Sequence, residues 1–140
     1  MKVDVSVSVA RPIDEVFDAM ADTRNEPSWN SQVSSSTLDT GEPIGQGSRF
    51  TTVNRGRSYT AVITTYERPH RLAYEVSNAQ LRIVGALDFT ESDGATLIKG
   101  DFDFRPHGLM TVLLPLMGPA IRKDFPKQFA SFKDYCESKG

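Results

Sequence analysis

The sequence predicts an α+β fold: a curved antiparallel sheet of about seven strands wrapped around a long C-terminal helix, with one or two short helices after the first strand. Three observations predict it. Residues 2–9 alternate strictly between apolar and polar, and a short amphipathic segment follows at once. Residues 32–105 break into short runs separated by turn residues, with no intervening stretch of helical length. After Phe104 the apolar residues recur every three or four positions to the end of the chain.

The elements follow in order. Val3, Val5, Val7 and Val9 against Lys2, Asp4, Ser6 and Ser8 make a half-buried strand, because successive side chains of a strand face opposite ways. In "RPIDEVFDAM", Pro12 suits a helix start, Asp14 and Glu15 favour its positive end, and Ile13, Val16, Phe17 and Met20 share one face. "ADTRNEPSWNSQ" is a break with room for one more helical turn. Strands are expected near 32–39, 47–54, 57–67, 71–78, 80–90 and 95–105, connected by "TGEPIGQG", "NRGR", "ERPHR", "VSNAQ" and "ESDGA". Links this short make the strands antiparallel neighbours. Met110, Leu113, Leu114, Met117, Ile121, Phe125, Phe129, Phe132 and Cys136 then mark one face of a long helix, frayed or bent where Pro115, Pro119 and Pro126 remove backbone donors.

The totals narrow the function. At 140 residues the chain suits one domain, 1–140, able to bury a core without staples. A net charge of −2 with interspersed signs argues against a nucleic-acid partner held through its phosphates, and the basic groups at Arg55–Arg57 and Arg68–Arg71 read as solvated strand ends. The uncharged run from Gly108 to Ile121 is fourteen residues with Pro115 and Pro119 inside. A span needs about 20 apolar residues, so no membrane span is expected. The N-terminus has no signal-peptide block, which makes a cytoplasmic location the expectation. The single cysteine, Cys136, excludes an internal disulfide.

Catalytic signatures are thin. His70 and His107 have no metal-ligand spacing, so no metal and no cofactor are expected. His107, near the entry to the last helix, fits a cap or solvent contact better than proton transfer. Asp101 and Asp103 alternate with Phe102 and Phe104, which turns the aspartates outward if the phenylalanines face in. "GEPIGQG" lacks the lysine and helix start of a phosphate cradle. Arg49, Tyr59, Thr64, Tyr74 and Arg82 are the polar residues that could orient a ligand. Parity on 57–67 is ambiguous, since both faces carry apolar residues. On 80–90, Leu81, Ile83, Gly85, Leu87 and Phe89 share the inward face and send Arg82 out. Trp29 either caps a cavity end or docks its short helix on the sheet.

With the elements in this order, "VSVARPIDEVFDAMADTRNEPSWN", "GEPIGQGSRF" and "TTYERPHRLAYEV" carry a resemblance. The chain resembles the helix-grip fold of START lipid-transfer domains and birch-pollen-allergen-like proteins, and more closely the polyketide cyclase/dehydrase branch labelled SRPBCC. The resemblance covers nearly the whole chain, and its motifs specify fold more than function. It implies an internal apolar cavity between sheet and final helix, taking a small hydrophobic ligand such as a lipid, polyketide, quinone or aromatic. The residues expected to line it are Trp29, Phe50, Tyr59, Tyr74, Leu87, Phe89, Phe102, Phe104, Met110, Leu113, Met117 and Ile121. Three functions stay open: a binding or carrier protein, a polyketide cyclase or dehydratase working in the same cavity, and a protein-interaction module with a filled core. No catalytic residue is assigned. A homodimer through a strand edge or the outer helix face is compatible with the sequence, which does not say which.

Overall fold

A computed structural model describes residues 1–139, and Gly140 lies outside the described residues. The order is β1 (Lys2–Val9), α1 (Ile13–Ala21), a 3-10 turn (Thr23–Asn25), α2 (Glu26–Trp29), β2 (Val33–Leu38), β3 (Arg49–Asn54), β4 (Arg57–Glu67), β5 (Arg71–Ser77), β6 (Leu81–Ser92), β7 (Ala95–Pro106) and α3 (Met110–Ser138). The seven strands form one antiparallel sheet in the order β1-β7-β6-β5-β4-β3-β2, so the helices after β1 carry the chain from one sheet edge to the other. This is the helix-grip arrangement expected from the sequence.

Tight hairpins set the meander. Arg55–Gly56 and Asp93–Gly94 both carry positive φ at each central residue, the geometry that matches the twist of the flanking strands. Parity on β4 has a structural explanation. The β4–β5 register shifts between Ile63 and Thr65, and a bulge of this kind reverses which side chains face in. Ala61 and Ile63 are therefore buried ahead of it, while Tyr66 beyond it meets Phe17 edge-on at 5.3 Å.

One end of the inner face is solid. Phe17 and Val16 of α1 are fully buried, and Phe17 also packs edge-on against Phe89 at 5.1 Å. Phe50, Ile63, Leu72, Leu87 and Ile98 complete this floor, each no more than 3% exposed.

α3 runs uninterrupted for 29 residues through Pro115, Pro119 and Pro126. The expected fraying does not occur. All three prolines are exposed, so water can meet the carbonyls that lose their donors. Side chains of α3 also satisfy the edge strand and its exit: Arg122 donates to the Lys2 carbonyl at 2.8 Å, Lys133 to that of Ser8 at 2.9 Å, and the Glu137 carboxylate accepts from the Ala10 N–H at 2.8 Å. Leu114, Phe129, Phe132 and Cys136 are its buried apolar contacts, whereas Leu109, Val112 and Leu116 are 65% or more exposed. The uncharged run is thus neither a core helix nor a simple wall: its first turns overhang the fold. No helix among the described residues is long and apolar enough to cross a membrane.

Candidate functional site

Beyond the solid floor the sheet and α3 part around a cavity of about 510 Å³, within the usual size range of small-molecule sites. The inner face passes from filled to open along each strand from β3 to β7. Phe50 gives way to Thr52 on β3, Ile63 to Ala61 on β4, Leu72 to Tyr74 on β5, Leu87 to Ile83 on β6, and Ile98 to Phe102 on β7. The cross-strand registers Thr52↔Tyr59, Ala61↔Val76, Val76↔Ile83 and Ile83↔Phe104 place these lining residues side by side.

α3 forms the opposite wall through Leu116, Met117, Ala120, Ile121, Phe125 and Phe129. Arg55, Leu116, Met117 and Ala120 are exposed as well as lining, and so form the rim. The two walls meet in an aromatic cluster: Phe102 lies 4.8 Å from Phe125 and 5.7 Å from Phe129, and Phe104 is 5.4 Å from Phe125. Phe102 also rests across two glycines. A Cβ at Gly85 would sit 2.6 Å from Phe102 Cε1, and one at Gly100 would sit 2.9 Å from Phe102 Cε2 and 2.6 Å from Leu87 Cδ2. Such distances demand glycine.

Of the expected lining residues, Trp29, Tyr59, Tyr74, Phe102, Phe104, Met117 and Ile121 reach the cavity. Phe50, Leu87, Phe89, Met110 and Leu113 do not. The first three share the inward face of their strands but are packed in the solid part of the core, where Phe89 meets Phe17 of α1. Met110 and Leu113 stand on the overhanging turns of α3; Leu113, one turn before Met117, is 38% exposed. Among polar candidates, Arg49, Thr64, His70 and His107 are exposed, and Arg82 turns out to pair with Glu75 at 2.7 Å. Asp101 is exposed, and Asp103 pairs with Arg105 at 2.9 Å, as the outward reading of that strand requires.

The polar end of the cavity was not found by sequence reasoning. Glu26, the first residue of α2, lines it, with Thr23, Asn30, Gln32 and Gln128. Asn30, 3% exposed, donates from Nδ2 to Glu26 Oε2 and to Gln128 Oε1, both at 3.2 Å, while its Oδ1 accepts the Gln32 backbone N–H at 3.1 Å. Burial pushes the Glu26 carboxyl up to about 7 from 4.5, and the Asn30 hydrogen bond pulls the other way without restoring it. The Tyr74 hydroxyl is raised as well, by burial first and by Glu26 second, so it stays protonated at every physiological pH. A signal for Glu26 existed. It stands three residues before Trp29 and four before Asn30, on one face of a helical turn.

Trp29 lines the cavity and packs edge-on at 5.2 Å against Phe132 of α3, a partner on the final helix where docking on the sheet was the expected alternative, with its buried Nε1–H lacking an acceptor among the described residues. Cys136 is buried on the inner face of α3 and its thiol is pushed up to about 11, chiefly by desolvation, which removes it as a nucleophile.

The family model described as polyketide cyclase / dehydrase and lipid transport matches residues 1–137. No curated protein sequence matches the chain significantly. Among solved structures, the fold is similar to that of Ara h 8.0201, at 15% identity and a TM-score of 0.69 over 99% of this chain and 98% of that one. A START superfamily protein from Mycobacterium smegmatis gives 16% identity and a TM-score of 0.75 over 99% of both chains. The di-domain ARO/CYC BexL from the BE-7585A biosynthetic pathway gives 16% identity and a TM-score of 0.71, covering 99% of this chain and 49% of that one.

Proposed function

Because the chain belongs to the polyketide cyclase / dehydrase and lipid transport family, we propose that it binds or carries a small hydrophobic ligand in the cavity between sheet and α3. The observation that carries this reading is the 510 Å³ hollow, walled by Ile83, Val76, Phe102, Phe104, Ile121 and Phe125. Covering about 300 Å² of apolar ligand surface contributes about 7 kcal/mol before association costs, enough for useful affinity with few polar contacts.

The test is titration with the neutral apolar dye N-phenyl-1-naphthylamine, read by quenching of the sole tryptophan, Trp29. Saturable binding by the wild type is expected, and its loss in Val76→Phe, which extends a ring into the space. Native mass spectrometry of the purified protein would add the mass of any guest carried along. A wild type that binds no apolar probe, or a folded Val76→Phe that binds as well, refutes the reading.

Glu26 favours a second reading, an enzyme of the cyclase or dehydratase type working in the same cavity. A carboxyl that titrates near neutrality inside an apolar pocket, beside a protonated tyrosine, is the equipment of proton transfer. That reading requires Glu26→Gln to abolish turnover of a polyketide-like substrate while leaving dye binding intact.

A further inference from the structure

Two carboxylates line the cavity. Asp124, on α3, has Lys127 3.8 Å away. Glu26 is different: it is half-buried in the cavity wall, and among the described residues no cationic side chain offsets its desolvation. An unpaired carboxyl in such a place costs stability, and a binding role is a reason to keep one.

The geometry around it is fixed. The Asn30 amide is oriented by the Gln32 N–H at its oxygen, which leaves Nδ2 for Glu26 Oε2 and Gln128 Oε1. Gln128 is held in turn, its Nε2 donating to Gln32 Oε1 at 3.4 Å. One carboxylate oxygen of Glu26 is therefore committed, while Oε1 has no donor among the described residues. The titratable or charged groups that face the same space are Tyr74 on β5, Tyr59 on β4, Asp124 on α3 and Arg55 in the β3–β4 turn. Arg55 is exposed at the rim; its backbone N–H donates to the Gln32 carbonyl at 2.8 Å, and its guanidinium forms no ion pair with Glu26 among the described residues.

We propose that Glu26, braced by Asn30 and flanked by Tyr74, is the polar anchor of the cavity and selects apolar ligands ending in a neutral hydroxyl, an alcohol or a phenol, over ligands ending in a carboxylate. The inference rests on the cavity being a ligand site. A hydroxyl donates to Oε1 and has lone pairs left for the Tyr74 hydroxyl. A carboxylate brings no proton and sets a second negative charge beside the first, where little water intervenes to screen it.

The experiment compares decanol with decanoate as competitors of N-phenyl-1-naphthylamine, on wild type and on Glu26→Gln, at pH 8 and pH 5.5. Any cavity prefers the alcohol to some extent, so the informative quantity is the change in the decanol-to-decanoate ratio. At pH 8 the ratio is expected to fall at least about tenfold on substitution, since the like-charge contact is removed. In the wild type, binding of decanesulfonate, which unlike decanoate stays fully ionised at both pH values, is expected to strengthen from pH 8 to pH 5.5, as Glu26 takes up its proton, and in Glu26→Gln to stay nearly level. This second comparison needs only wild-type protein if the variant is lost. Should decanol and the dye both fail to bind, the cavity reading falls and the anchor with it. Should decanol bind with a ratio indifferent to the substitution and decanesulfonate with an affinity indifferent to pH, the anchor alone falls. Tight decanoate binding at pH 8, head-out at Arg55, would equally overturn it.

Discussion

Replacing Glu26 by glutamine should stabilise the fold, and only above about pH 4.5. The substitution keeps the shape and an oxygen to accept from Asn30, and removes the charge. In the unfolded chain the carboxyl titrates at its ordinary 4.5; in the folded protein burial raises it to about 7. Below pH 4.5 both states hold the proton, and the ionisation costs the fold nothing. Between 4.5 and 7 the unfolded chain gives up its proton while the folded one keeps it, so stability falls as pH rises. Above 7 both are ionised and the penalty is complete. At about 1.4 kcal/mol per unit of pKa, the gap amounts to about 3 kcal/mol. Urea denaturation of wild type and variant at pH 4, 6 and 8 measures it. The curves should nearly coincide at pH 4 and separate by about 3 kcal/mol at pH 8, with the variant the more stable. An equal separation at all three values, or a variant less stable at pH 8, would refute the reasoning.

Other outcomes can be stated more briefly. Phe132 is fully buried against Trp29, so Phe132→Ala should cost about 3–5 kcal/mol in urea denaturation. The Trp29 emission of the folded variant should also shift, because its ring partner is gone. Cys136 should resist iodoacetamide at pH 8 in the folded protein and react readily in denaturant, since both its burial and its raised thiol withhold the thiolate. Mass-spectrometric alkylation rates check this, and rapid labelling without denaturant would contradict it.

The order of elements was legible because each follows from a local pattern. Valines alternate over β1, hairpin residues stand where Arg55–Gly56 and Asp93–Gly94 turn, and α3 repeats at three and four. Even the outward aim of Arg82 followed from parity. What parity cannot express is depth along a strand. Leu87 and Ile83 look alike in sequence, yet one is packed beneath α1 and the other faces open space, because α1 covers only part of the sheet. The same holds for Leu113, which keeps the helical period where it stands exposed, and for Met110, which packs against the core without reaching the cavity. The bulge at β4 was invisible as well, since it is a property of pairing between two strands. Glu26 escaped notice for a further reason. An acidic residue opening a helix has a sufficient explanation in the helix dipole, and only the three-dimensional enclosure shows a second one.

Gly85 and Gly100 sit beneath the Phe102 ring, where even a methyl group would collide. The size of the guest chamber is consequently governed from behind, by what those two positions lack. A larger residue at either would tilt the ring upward like a raised floorboard and shrink the room without replacing any residue that lines it. Variation in capacity among proteins built this way need not be sought in the residues a guest touches: it can be written in the layer below them.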